Sequence, residues 1–322
     1  MSKQTKDAKH FDVDVKVRDF CSKSKLFFII GFALILISLL STFTGVDVAL
    51  EFKGGTIITY SYTGDVDESS ISKELTSLVG STVKVQQGDS LDSDTKTLSL
   101  SFTSTEGLTI DRQNEVTNKV KELCPDNEVE LLDANDVNAR SGGEFFAKCI
   151  VAAVFAALIL IVYIALRFKQ ISGWSAGVCA VLGLLSTLIV TYGCVVLCRF
   201  EIDSNFMAVI LTLLGYAVND TIVIYDRIRE NSALYGKKQM SLAELVNLSI
   251  NQSFARSLMT SITTCLALGV VCVVSVIYRL DSIYSFAFPL LFGMVSGVYS
   301  TICIATPLWV DWKNKKKAAK KA

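Results

Sequence analysis

Histidine occurs once and proline three times in these 322 residues, and neither histidine nor cysteine falls at metal-ligand spacing. The single histidine, His10, stands in a charged N-terminal stretch and reads as a solvated side chain. Nine cysteines are present, but only Cys124 lies in the polar block between residues 47 and 145. A disulfide within that block is therefore excluded. No glycine-rich phosphate loop, nucleophile elbow or zinc motif stands out, so neither an enzyme nor a cofactor is expected.

Apolar residues are what the chain has in excess. They make up 51% of it, the mean hydropathy is +0.45, and they come in runs rather than at strand or helix period. Six runs, about Leu26 to Phe43, Cys149 to Leu166, Trp174 to Cys198, Phe206 to Tyr225, Ser257 to Tyr278 and Ile283 to Leu308, are long enough to cross a membrane. In hydrocarbon the backbone must satisfy its own hydrogen bonds, so each run is read as a helix. The first run is too long for a signal-peptide core, and some 25 mostly polar residues precede it. It reads as a retained helix.

The net charge of zero conceals an asymmetry. Nineteen of the 31 acids but only eight of the 31 bases lie between Asp47 and Glu144. The bases gather at Lys3 to Lys25, at Arg167 and Lys169, from Arg227 to Arg256, and in the tail Lys313 to Lys321. The positive-inside rule then puts both termini in the cytoplasm and the acidic block outside. The expected division is a cytoplasmic tail (1–25), helix 1 (26–46), an extracytoplasmic domain (47–145), helices 2 to 6 (146–310) and a basic cytoplasmic tail (311–322). A cytoplasmic loop interrupts the helices at 227–256, where Leu242, Leu245, Val246, Leu248 and Ile250 suggest an amphipathic helix at the interface. The lysine-rich tail has the charge to contact anionic lipid or ribosomal RNA, but the favoured reading is a solvated topology signal, with membrane lipid and no nucleic acid among the expected partners.

The outside block reads as α+β. Thr56 to Tyr62 is β-branched and aromatic, and Asp67 offers an N-cap to a helix through Ile71, Leu75 and Leu78. Val83 and Val85, then Leu98, Leu100 and Phe102, alternate with polar residues on either side of a turn near Gly88–Asp89. Val116, Val120 and Leu123 mark a second helix, begun at Asp111 and stopped by Pro125. Val129 to Leu132 is a last strand. The order βαββαβ is that of a ferredoxin-like split βαβ domain.

One residue carries the chemical interest. Asp220 is an acid inside the fourth run, about five residues (~7.5 Å) from its end at Tyr225, flanked by the polar Asn219 and Thr221. An ionised Asp at a helix centre costs at least ~2.5 kcal/mol on insertion scales. It must face the bundle, take a proton, or meet a cation. The candidate cation is Arg256, which shares a helix face with Thr260 and Thr264 by i, i+4 spacing. Lys53-Gly54-Gly55 is read as a tight turn between extended stretches, and Gly293 and Gly297 as a GxxxG helix-packing face, with Pro289 a source of a kink.

These residues resemble a known family. Leu211 to Asn231, reading LTLLGYAVNDTIVIYDRIREN, is similar to the fourth-span signature of the SecF members of the SecD/SecF family. Leu50 to Thr56, LEFKGGT, resembles the DFxGGT element after span one, with Glu51 in place of Asp. Arg256 to Thr264 (RSLMTSITT), Arg167-Phe168 and Thr306-Pro307-Leu308 are similar to family elements too, so the resemblance runs from about residue 20 onward. Two features depart from it. Ser186-Thr187 stands where the family often has a His-Asp pair in span three, and Asn138-Ala-Arg-Ser141 replaces a VGP-type element before span two.

The resemblance implies a six-helix unit, half of an RND-type transporter, that pairs with SecD in the bacterial cytoplasmic membrane. It implies work beside the SecYEG channel and SecA on unfolded exported polypeptides, driven by the proton motive force, with Asp220 and Arg256 as the proton relay. Asn219, Thr260 and Thr264 would be its polar support. A structural adaptor without ion coupling, and an RND-type exporter of small molecules or lipid, are the alternatives.

Overall fold

A computed structural model describes residues 18–319 apart from 82, 90–95, 104–106, 126, 138 and 279. His10, most of the N-terminal tail, and Lys320 and Lys321 lie outside the described residues. Among the described residues, six helices are long and apolar enough to cross a membrane. Numbered with the shorter helices, they are α1 (Ser24–Ser41), α5 (Ala139–Arg167), α6 (Gly173–Leu197), α7 (Ser204–Gln239), α8 (Leu242–Ile277) and α9 (Asp281–Tyr299). The last runs through a π-helical turn, Ser300–Ala305, into α10 (Thr306–Ala319). Pro289 sits inside α9 without ending it, and the irregular turn falls eleven residues later.

α6 is the central helix of the bundle, 67% of its span being enclosed by protein, whereas α1, α5 and α8 turn most of theirs outward. Small residues let neighbours approach it. A Cβ on Gly193 would fall 2.4 Å from the Ser38 Cβ of α1. Gly293 and Gly297 are buried as well, and a Cβ on Gly293 would meet Leu213 of α7 and Thr191 of α6. This GxxxG packs helices of its own chain.

The expected loop at 227–256 is not a loop. α7 runs on to Gln239, and α8 begins at Leu242 behind a capping box made by Ser241 and Glu244. Leu245, Val246 and Ile250 do not lie on a membrane surface; they join a buried cluster with Ile224, Ile228, Phe168 and Trp309. The chain before α1 is clasped to the same stretch. Phe20 and Cys21 N–H donate to Asn247 Oδ1 at 3.1 and 3.0 Å, and Asn251 bonds both backbone groups of Arg18. Likewise the basic tail from 311 on is helical to Ala319, and Lys313 donates to the Ile171 carbonyl (2.8 Å).

Between α1 and α5 lies the α+β domain, with β1 (Gly55–Tyr62), α3 (Glu68–Val79), β2 (Val83–Asp89), β3 (Lys96–Thr103), α4 (Ile110–Leu123) and β4 (Glu130–Val137). Its antiparallel sheet has the order β2-β3-β1-β4, the ferredoxin-like arrangement. Ile58, Tyr60, Leu98, Leu100 and Phe102 face the two helices, and Asp67 caps α3 through Ser69 N–H. Two boundaries differ from the sequence reading. β4 extends to Val137 because β1 supplies a partner along its length, and Gly88–Asp89 are still in β2, paired with Thr97 and Lys96.

A four-residue helix, α2 (Leu50–Lys53), joins this domain to the bundle. Ala49 N–H donates to Ile202 O (3.0 Å) and Ile202 N–H to Asp47 O (2.8 Å), a short parallel bridge to the α6–α7 connection. Ser204 N–H, at the start of α7, donates to Glu51 Oε2 at 3.2 Å, and Lys84 of β2 is ion-paired with Glu201. Gly54 ends α2 at φ +83° and Gly55 opens β1 at φ +148°.

Gly55 is the position that tolerates least. A Cβ there would stand 2.0 Å from the Phe102 carbonyl oxygen, in a backbone region closed to L side chains. Gly55→Ala is expected to cost the domain about 1–3 kcal/mol or more, read as faster proteolysis in membrane vesicles. Gly80→Ala, in open space at φ +72°, should cost less.

Asp203, the N-cap of α7, gives a second test. Its carboxyl accepts from Phe206 N–H at 2.8 Å. Burial raises its pKa from the ordinary value and the Glu51 charge adds to this, while the bonds from Phe206 and Asn205 act the other way. The charged form is thus penalised in the folded state, and the penalty fades as pH falls through the raised pKa. Asp203→Asn keeps a good cap and loses the charge. In detergent at pH 7 it should melt no lower than the parent, with any advantage shrinking toward pH 4. Asp203→Ala should lose about 1 kcal/mol.

Candidate functional site

α7 and α8 form an antiparallel pair whose facing residues are polar at membrane depth. On α8 the buried positions Ser249, Ser253, Ser257 and Ser261 recur every four residues, which places them on one face. On α7 they meet Asn231, Asp220 and Tyr216. Tyr216 Oη donates to Ser261 Oγ at 3.0 Å, and Asn231 Nδ2 donates to Ser249 Oγ at 2.8 Å. Asn231 Nδ2 and Arg227 Nε also reach Gln252 Oε1, at 2.8 and 2.7 Å.

Asp220 lies between these contacts, only 4% exposed, and its carboxyl interacts with the Ser257 hydroxyl. That contact falls short of full hydrogen-bond geometry, and Ser257 Oγ is otherwise enclosed without a bond. Here a carboxyl and a hydroxyl face each other in a tight, protein-lined space. The helix runs 19 residues beyond Asp220, to Gln239, so this acid is deep within an element rather than near its end.

Arg256 does not join the site. It is exposed, and among the described residues it forms no ion pair. Thr260 is exposed and Thr264 half-buried; their hydroxyls turn back on their own helix, to Arg256 O (3.0 Å) and Thr260 O (2.9 Å). The inward stripe of α8 is shifted by one residue, about 100° of rotation, from the stripe read at Arg256, Thr260 and Thr264. Asn219, expected beside Asp220, also faces outward. The sequence contained the correcting signal. Continuing the apolar phase of Val246 and Ile250 by steps of three and four arrives at Ser253, Ser257 and Ser261.

A second polar group lies close by. Ser186 Oγ donates to Gly183 O (2.6 Å) and meets Ser300 Oγ (3.0 Å) at the π-turn, while Thr187 Oγ1 donates to Gly183 O (3.2 Å). A cavity of about 10 Å³, lined in part by Thr187, Thr221 and Thr301, separates this group from the Asp220 turn. It has room for about one water molecule. Lys53, Gly54, Gly55, Gly293 and Gly297 serve backbone geometry and packing.

Cysteine pairs would check the shifted phase. In a background cleared of native cysteines, Asp220→Cys with Ser257→Cys should cross-link rapidly under mild oxidation in membranes. Asp220→Cys with Arg256→Cys should not. Equal rates for the two pairs would restore Arg256 to the interface.

The family model described as "Protein export membrane protein SecD/SecF, C-terminal" matches residues 115–315. A protein translocase subunit SecF of Sebaldella termitidis is 33% identical over 297 residues, 92% of this chain and 92% of its own length. A protein translocase subunit SecDF of Bacillus subtilis is 31% identical over 306 residues, 92% of this chain but 38% of that longer one. The crystal structure of SecDF, a translocon-associated membrane protein from Thermus, superimposes with a TM-score of 0.75 at 25% identity, covering 92% of this chain and 39% of its own. With a family model over more than half its length and a relative matched almost end to end, the chain belongs to the SecD/SecF family of protein-export membrane proteins, on its SecF branch.

Proposed function

We propose that this chain works with a SecD unit beside the SecYEG channel and SecA, using the proton motive force to promote export of unfolded polypeptides across the bacterial cytoplasmic membrane. In this reading both termini and the α7–α8 hairpin are cytoplasmic and the α+β domain is outside, as the distribution of Lys and Arg favours. The observation that carries it is Asp220, a carboxyl enclosed at membrane depth against a hydroxyl and, among the described residues, in no ion pair. A charge on such a group is expensive, and it changes with small movements of its surroundings. Each proton crossing 100 mV releases ~2.3 kcal/mol. Repacking of α7 against α8 is the step that would capture that energy.

The need for a partner has its own support. Asn219 and Thr212 are exposed on α7, an apolar helix, and Gly215 opens on empty space. Polar groups at membrane depth seek a protein surface, and a second six-helix unit would supply one. The SecDF relatives are much longer chains, of which this one covers 38–39%, and their names join SecD to SecF. The competing adaptor reading draws on Ser186 and Thr187, whose hydroxyls are spent on Gly183 and Ser300 and put no carboxyl or imidazole at that place in α6.

Asp220→Asn separates the two. Asn fits the same space, so membrane level and SecD binding should stay at parental values. In vesicles, the gradient-stimulated part of reporter export should vanish, while Asp220→Glu keeps some of it. Undiminished stimulation in Asp220→Asn would eliminate the relay and leave the adaptor.

A further inference from the structure

We infer that a groove between α8, α9 and the segment before α1 holds one phospholipid of the cytoplasmic leaflet, its acyl chain in the groove and its anionic headgroup at Arg18. The groove encloses about 380 Å³. Leu258 and Ile262 of α8 form one wall, and Val298 of α9 with Ile302 of the π-turn forms the other. The rings of Phe20 and Phe254, 6.3 Å apart, stand at one end. The two hydroxyls of the lining are engaged within the protein: Ser261 Oγ accepts from Tyr216 Oη (3.0 Å), and Tyr299 Oη donates to the Phe27 carbonyl (2.8 Å). What remains is hydrocarbon, ring and thiol. Leu258 and Ile262 are still 36% and 42% exposed, so the groove opens sideways, where hydrocarbon would lie.

Length and width choose the occupant. From Phe254 to Cys265 the groove follows α8 for eleven residues, ~16 Å at ~1.5 Å per residue. That is about half of a hydrocarbon core of ~30 Å, the depth that the chains of one leaflet fill. A volume of about 380 Å³ spread along that length suits a single chain, whereas a helix ~10–12 Å across would ride over it. The end at Phe254 carries the matching charge. The Arg18 guanidinium lies 5.3 Å from the Phe254 ring centroid, and Asn251 fixes the Arg18 backbone through its N–H (2.9 Å) and C=O (2.8 Å). Arg18, Lys23 and Lys25 are exposed and, among the described residues, in no ion pair. Asp19, the one acid of the stretch 18–25, is engaged by Asn247 Nδ2 (2.7 Å) and Ser22 N–H (3.0 Å). A cation at the mouth of an apolar slot is the complement of an anionic headgroup above its chain. Ser261 also belongs to the stripe that faces α7, so the lipid braces the helix against which Asp220 packs.

Native mass spectrometry of the purified full chain in detergent, titrated with phosphatidylglycerol, reads the site directly. One lipid should bind more tightly than any later one, and more tightly than phosphatidylcholine with the same chains. Arg18→Gln should weaken that first binding about fivefold. Arg256→Gln, which removes a cation from the opposite face of α8, should not. Ile262→Trp fills the groove and should abolish the first binding, while Met259→Trp, on the outer surface of the same helix, should leave it intact. Should Ile262→Trp fold poorly, maleimide labelling of Cys265 as the sole cysteine takes its place. Phosphatidylglycerol should slow that labelling, and should slow it less once Arg18→Gln is introduced. Equal affinity for the two lipids, or a first binding unchanged by either Arg18→Gln or Ile262→Trp, overturns the proposal. Expulsion of the lipid when a SecD unit binds also overturns it, since the groove would then be a protein contact. Only the choice of leaflet rests on the orientation proposed above; the titration reads neither orientation nor export, so its failure would leave that reading standing.

Discussion

A carboxyl group cannot face hydrocarbon, and the packing of α7 on α8 hides Asp220 from it. That requirement explains the otherwise odd chemistry of the α8 stripe. Four serines at a spacing of four would be wasted on a lipid-facing helix, yet all four are buried toward α7. Small hydroxyl side chains let the two backbones approach and offer hydrogen bonds at the same time. The extended ends of both helices, with Asn231, Ser249 and Gln252 bonded together, hold the pair in register past the buried carboxyl. The remaining helices dress this pair. α6 fills the centre, while α1 and α5 turn mostly outward.

Much of this was legible in the residues. Apolar runs named the six helices, and alternation with caps named the βαββαβ domain, because these patterns are local and each element obeys its own period. Features that depend on distant partners are not legible in this way. The sequence of the α7–α8 connection reads equally as a loop with a surface helix, because its apolar face suits a membrane as well as a core. Only the cluster around Trp309 and Ile228 decides between them. Asp133, Asn135 and Asp136 disfavour a strand beyond Leu132, and pairing with Thr59, Ile57 and Thr56 of β1 overrides that preference.

The candidate site was half legible for a related reason. Asp220 announced itself, since an acid in an apolar run has few explanations. Its neighbour does not, because Arg256 offers the opposite charge while rotation about the helix axis governs contact. One residue separates Arg256 from Ser257, and 100° of rotation takes one outward and the other to the carboxyl. Long cationic side chains at such positions reach outward readily, so opposite charge in adjacent spans is weak evidence of a pair.

α7 ties the two halves of the molecule together mechanically. It is one unbroken helix from Ser204 to Gln239, with Asp203 capping its start and Asp220 in its body, roughly 25 Å apart at ~1.5 Å per residue. At that start, Glu51 takes the Ser204 N–H, and the 47–49 strand segment bridges to Ile202. The exposed Lys84–Glu201 pair adds little by itself, since such pairs contribute about 0–1 kcal/mol. The backbone bonds and the rigid α2 turn, pinned by Gly54 and Gly55, are the firmer joint. A tilt of α7 that loosens Asp220 from Ser257 would therefore arrive at the base of the sheet domain with little loss.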